Sequence, residues 1–127
     1  MGEVKALRQV ADMKIIIADQ EYSVDIKDSA LSESIANMCP FTLALTKSMN
    51  HEYYGTLPGV PETTGVAATS SVKAGGIYYF KDWNAFSLNY IDTEIAPYKV
   101  YEVGTVKGTF SSDLAGLSSR IEATVEK

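Results

Sequence analysis

The chain has 127 residues, a net charge of −5 and 46% hydrophobic content, which fits one self-sufficient globular domain and leaves little room for two. Arg8 and Arg120 are its only arginines and no basic stripe runs through it, which argues against a nucleic-acid partner and against an anionic membrane surface. Eight Tyr and four Phe beside one Trp, with many β-branched residues, favour β-structure over disorder.

Residues 1–12 read as an N-terminal extension, with weak helical spacing at Val4, Leu7 and Val10 and no signal-peptide run. Met13-Lys14 reads like a second beginning, so the domain is placed at residues 13–127. Lys14–Ala18 is a β-branched run, Asp19-Gln20 is the expected turn, and Tyr22, Val24 and Ile26 alternate with Ser23, Asp25 and Lys27. That pattern predicts a hairpin with one buried face. Asp28 or Ser29 is placed to cap a short helix at Ala30–Met38, whose Leu31, Ile35 and Met38 form one stripe before Pro40 ends it. Phe41, Leu43 and Leu45 alternate with Thr42, Ala44 and Thr46 as the next strand.

Ser48–Ser71 carries Gly55, Pro58, Gly59, Pro61 and Gly65 and no long periodic element. It is expected to be a long ordered loop or a set of short strands, one of which ends at Thr56–Pro58. Ile77–Phe80 is a strand, Lys81–Asn84 a turn around Trp83, and Ala85–Ile91 a second strand. Tyr98–Val106 reads as a strand interrupted by Gly104, Asp113–Leu117 as one helical turn, and Ile121, Ala123 and Val125 as a closing strand. The fold class is mostly β: a small closed or nearly closed barrel with one or two short helices, closure being the way to remove exposed strand edges.

The run His51-Glu52-Tyr53-Tyr54-Gly55-Thr56-Leu57-Pro58 resembles the "E-x-Y-G-x-L-P" segment of small bacterial cyclophilin-like proteins. Val72–Phe80 is similar to their "A-G-D-I-x-Y-(aromatic)" strand entry, with Gly76 where Asp is common, and Ala85–Tyr90 resembles the strand that follows. The resemblance spans residues 13–126 and implies a cyclophilin-like barrel in a family without an assigned reaction. For true cyclophilins it would imply an Arg beside a proline pocket of Phe, Met and Gln. No "R-x-x-x-x-F-M-x-Q" pattern occurs, Arg8 lies in the extension and Arg120 near the last strand. Prolyl isomerisation is not expected, because nothing is placed to polarise the twisting amide.

His51 is the sole histidine, so any acid–base or nucleophilic scheme must use it. Its neighbour Glu52 would point to the opposite face of an extended chain, so His51 is read as a partly exposed loop residue. Cys39, the one cysteine, forms no intramolecular disulfide, is expected to pack as a small apolar group, and fits a cytoplasmic location. No G-x-S-x-G elbow, P-loop or metal-ligand spacing occurs, and Asp82, Asp92 and Glu94 read as solvated carboxylates. No catalytic residue, metal or cofactor is assigned.

The aromatics carry the functional reading. Alternation sends Tyr78 and Phe80 to one face of their strand and Ile77 and Tyr79 to the other. One pair is core and the other is free to line a groove. The candidate ligand-binding set is His51, Glu52, Tyr53, Tyr54, Tyr79, Trp83 and Tyr90, for a small-molecule or peptide ligand. Two readings compete: an enzyme using His51, Glu52 and a Tyr hydroxyl for proton transfer, and a barrel that homodimerises through its aromatics.

Overall fold

A computed structural model describes residues 13–127; the helical spacing read in residues 1–12 falls outside the described residues. Strand β1 (Met13–Ile17) buries Met13, Ile15 and Ile17, as its alternation demands, and pairs with β2 (Gln20–Ile26). The turn between them is Ala18-Asp19, one residue earlier than expected, with φ of 51° and 67°. A two-residue hairpin turn needs two left-handed residues to match the strand twist. Ala18 hides that signal because alanine rarely adopts the conformation.

Helix α1 (Ala30–Met38) starts at Ser29, whose hydroxyl accepts the Ser32 N–H at 3.1 Å. Its stripe sinks Leu31, Ile35 and Ala36 into the core, and Ser32 donates to the Val103 carbonyl at 2.7 Å. The chain then runs β3 (Phe41–Ser48), β4 (Glu52–Thr56), β5 (Ala68–Thr69), β6 (Ser71–Val72), β7 (Gly76–Phe80), a 3-10 turn (Lys81–Trp83), β8 (Ala85–Asn89), β9 (Thr93–Glu94), β10 (Val100–Thr105), helix α2 (Phe110–Ala115) and β11 (Arg120–Glu126). The Ser48–Ser71 stretch therefore holds short strands joined by loop, and β4 does end at Thr56.

Eight antiparallel strands run β2-β1-β11-β3-β4-β8-β7-β10, and β10 returns to β2 to close the barrel. Closure rests on the pairs Gly104↔Ile26 and Thr105↔Asp25. Gly104 follows a bulge in the β10–β7 register. A Cβ there would lie 2.7 Å from the Asp25 carbonyl oxygen and 3.1 Å from Val24 Cγ1. The glycine read as an interruption is the residue that lets β10 reach both neighbours.

Barrels of about eight strands have an interior just wide enough for side chains to fill. Here Leu45, Tyr53, Tyr79, Phe86 and Leu88 fill it, with Leu31 and Ile35 of α1 and Phe110 and Leu114 of α2. A second, smaller cluster forms outside the barrel. The β6–β9 ribbon lays Val72 and Ile95 over Tyr78, Phe80 and Val100 on the outer sheet face. The Tyr78 ring lies over Gly76, where a Cβ would sit 2.4 Å from it, and its hydroxyl accepts the Lys73 N–H at 2.9 Å.

Gly104→Val should cost about 1–3 kcal/mol by forcing the seam apart. Urea unfolding would reveal it as a lower midpoint. A wild-type midpoint would mean that the seam does not depend on this close approach.

Candidate ligand-binding groove

Strand β8 is covered on both faces, which is why it alternates large apolar with small polar residues. Phe86 and Leu88 face inward, while Ala85, Ser87 and Asn89 face outward, and Ala85 and Ser87 form a shallow floor. On one side β4 contributes Glu52 and Tyr54. On the other, β7 contributes Phe80, and the ribbon and its flank contribute Val72, Ile95 and Tyr98. The result is a groove of about 400 Å³ on the outside of the barrel, within the size range of small-ligand sites.

Its wall is a chain of rings. Tyr54 lies 5.9 Å from Trp83, Trp83 stands edge-on to Phe80 at 5.3 Å, and Phe80 stands edge-on to Tyr98 at 6.2 Å. Trp83 is held outward by the β7–β8 turn. Asn84 closes that turn with φ of 50°, its Nδ2 donates to Leu57 O (3.4 Å) and Gly59 O (2.9 Å), and its Oδ1 accepts the Tyr79 hydroxyl at 2.6 Å. The turn is thus fixed from beneath while Trp83 keeps 63% of its surface exposed.

His51 is 7% exposed, not the half-open loop residue expected. Left-handed Met49 and Asn50 (φ 57° and 60°) fold the chain so that strand alternation does not hold across His51-Glu52, and both residues line the groove. His51 Nδ1 lies 2.7 Å from Asn89 Oδ1. The Asn89 amide nitrogen donates to two carbonyls, Lys73 O at 3.1 Å and Ile91 O at 2.7 Å, which fixes its orientation. Oδ1 can only accept, so His51 Nδ1 carries the proton and donates. In the neutral ring Nε2 is then a bare acceptor; it has no partner among the described residues and is not sealed from solvent. Beside it, Ser87 Oγ donates to Glu52 Oε1 at 2.9 Å.

Four of the seven sequence-selected residues, His51, Glu52, Tyr54 and Trp83, come together here. Tyr53, Tyr79 and Tyr90 project into the barrel core instead. Tyr53 packs against Tyr90 at 5.9 Å and donates toward the Leu117 and Ser118 carbonyls at 3.0 and 2.7 Å. Lys47 Nζ sits over both rings at 5.6 and 5.4 Å and donates to Ala115 O and Leu117 O, closing the end of α2. Burial pushes the hydroxyls of Tyr53, Tyr78, Tyr79 and Tyr90 above the usual phenol range, so they are neutral hydroxyls rather than phenolates. On β7 the groove face is Tyr78 and Phe80, and the core face is Ile77 and Tyr79.

A family model described as the cyclophilin-like family matches residues 15–126. The chain belongs to the cyclophilin-like family. No curated protein matches this cyclophilin-like chain in sequence. Among solved structures, a hypothetical protein of Archaeoglobus fulgidus, known in solution, is similar with a TM-score of 0.63 at 17% identity, over 94% of this chain and 97% of that one. McbB, in a structure with tryptophan, is similar with a TM-score of 0.65 at 14% identity, over 91% of this chain and 44% of that one. Both share the cyclophilin-like fold; at these identities the likeness extends to the fold alone.

Sequence reasoning missed Phe80, Tyr98 and Met49 as groove residues and Asn89 as the residue that holds His51. Asn89 had a usable signal, since it follows Leu88 in strict alternation and so faces the same side as Ser87. Another depression of about 410 Å³ lies at Ile17, Gln20, Tyr22 and Asp113. Two of its polar groups bond each other, the Tyr22 hydroxyl donating to Asp113 Oδ2 at 2.8 Å. Burial, with the Asp113 carboxylate adding, pushes Tyr22 up to about 12.

The sole histidine makes the tautomer measurable without assignment. Ring ¹⁵N shifts of neutral His51 should report a protonated Nδ1 and a bare Nε2, the minor form of a free histidine. The opposite pattern would contradict the Asn89 clamp.

Proposed function

We propose that this protein is a non-catalytic binding module whose outer groove takes a small, partly apolar molecule or a short peptide. The observation that carries the reading is Trp83, 63% exposed yet positioned by a fully hydrogen-bonded turn over a groove of about 400 Å³. Leaving so large a ring in water gains the fold little, since burying it would have been favourable by several kcal/mol at ~25 cal/mol per Å². A ligand laid on the ring chain Tyr54–Trp83–Phe80–Tyr98 supplies the missing contact.

The ligand of McbB, tryptophan, supports an aromatic occupant as a first choice for testing. Prolyl isomerisation is a poor fit, because among the described residues no arginine lines the groove. A cytoplasmic setting is the one in which the lone thiol of Cys39, half-buried and with its pKa raised by burial, stays reduced. Among the described residues no helix is long and apolar enough to cross a membrane.

A second copy of the chain is the competing occupant, because Met49 (74% exposed), Trp83 and Tyr98 (59%) share the rim. Sedimentation at low micromolar concentration separates the two. A stable dimer broken by Trp83→Ala would replace the ligand reading.

The single indole N–H cross-peak of Trp83 reports occupancy directly. Aromatic fragments and short proline-containing peptides should shift it saturably, and Trp83→Ala should weaken the binder, measured by calorimetry, about tenfold or more. If no compound moves the peak, the groove is not a binding site.

A further inference from the structure

The groove has a charge pattern as well as a shape. Glu52 and Glu94 line it, and among the described residues no lysine or arginine does. Among its lining groups, the deeply buried side chain with an open polar atom is His51, whose clamped ring in its neutral form presents the Nε2 lone pair. Glu52 spends one oxygen on the Ser87 hydroxyl and keeps the other for a further donor. The open carboxylate oxygen of Glu52 and the lone pair of the neutral His51 ring accept, the hydroxyls of Ser48, Tyr54 and Tyr98 can serve either way, and among the described residues no lining group carries a positive charge of the lysine or arginine kind. The aromatic wall adds negative ring faces at Tyr54, Phe80 and Trp83, which also attract positive charge.

From this we propose that the ligand is an aromatic ammonium: a flat apolar body lying on Trp83, with a primary or secondary ammonium donating to Glu52 and His51 Nε2. The proposal rests on the groove being the binding site and specifies what that site selects. A neutral alcohol meets the wall but leaves Glu52 without a charged partner. A carboxylate meets Glu52 and Glu94 as like charges and finds hydroxyl and indole donors but, among the described residues, no lysine or arginine to offset them. A quaternary ammonium keeps its charge and loses every N–H, so it separates hydrogen bonding from simple attraction.

The experiment uses the full chain at neutral pH and four probes of one skeleton: phenethylamine, its trimethylammonium analogue, 2-phenylethanol and 3-phenylpropionate. The Trp83 indole N–H peak reads each titration. Phenethylamine should bind at least roughly tenfold more tightly than 2-phenylethanol, with the quaternary analogue between them and 3-phenylpropionate weakest, as expected where a charge-assisted hydrogen bond decides. Glu52→Gln keeps an acceptor for Ser87 and should collapse the amine-to-alcohol ratio toward one, with the unshifted indole peak of the free variant showing that it is folded. If the alcohol or the carboxylate binds as well as the amine, the ammonium assignment is wrong while the groove stands. If the quaternary analogue matches phenethylamine, the N–H donation to Glu52 and His51 is wrong. If no probe moves the peak, the groove reading fails and this inference fails with it.

Discussion

Everything in this molecule follows from closing eight strands into a barrel at the β10–β2 seam. The pairs at Gly104 and Thr105 complete the hydrogen-bond ring, and Gly104 permits it because its missing side chain leaves room for the Asp25 carbonyl. Once the ring closes at this size, inward side chains meet across the axis and fill it. Tyr53, Tyr79 and Phe86 are spent there, each under 2% exposed. A ligand then has to meet the protein on the outer sheet face. The β6–β9 ribbon turns that face from a flat sheet into a groove by covering one side of it with Val72 and Ile95.

The same closure explains how buried polar atoms are tolerated next to the groove. An unpaired polar group in an apolar setting costs more than a paired one returns. Asn89 meets that demand on all sides, donating twice to carbonyls and accepting once from His51. Tyr79 does the equivalent from inside the barrel, its hydroxyl reaching Asn84 and steadying the turn that carries Trp83. Interior and exterior are thus coupled through side-chain hydrogen bonds at the β7–β8 hairpin. His51 Nε2 and one oxygen of Glu52 are left open in the groove, beside the hydroxyls of Ser48, Tyr54 and Tyr98, and give it its chemistry.

Much of the fold was legible. The alternation in β1 and β3, the Ser29 cap with Leu31 and Ile35 behind it, and the end of β4 at Thr56 are local signals that the tertiary structure keeps. The motif at His51–Pro58 led to the right family for the same reason, since it spells one barrel strand and its exit. The site was legible by segment rather than by side. Alternation separated Tyr79 from Phe80 but did not say which face was interior, because both faces of β7 are buried. His51 was misjudged because strand periodicity was carried into a turn, and only the left-handed pair Met49-Asn50 brings it beside Glu52. Tyr98 was invisible as a site residue because it lies far in sequence from Phe80, the ring it meets.

The central claim is that recognition happens outside a filled barrel. Intermolecular nuclear Overhauser contacts from a saturating aromatic ligand test it most directly. The account predicts contacts from the ligand to the rings of Trp83, Tyr54 and Phe80 and to the His51 ring. Contacts to Phe86 or Tyr79, or their loss from Trp83, would place the ligand inside the barrel and contradict it.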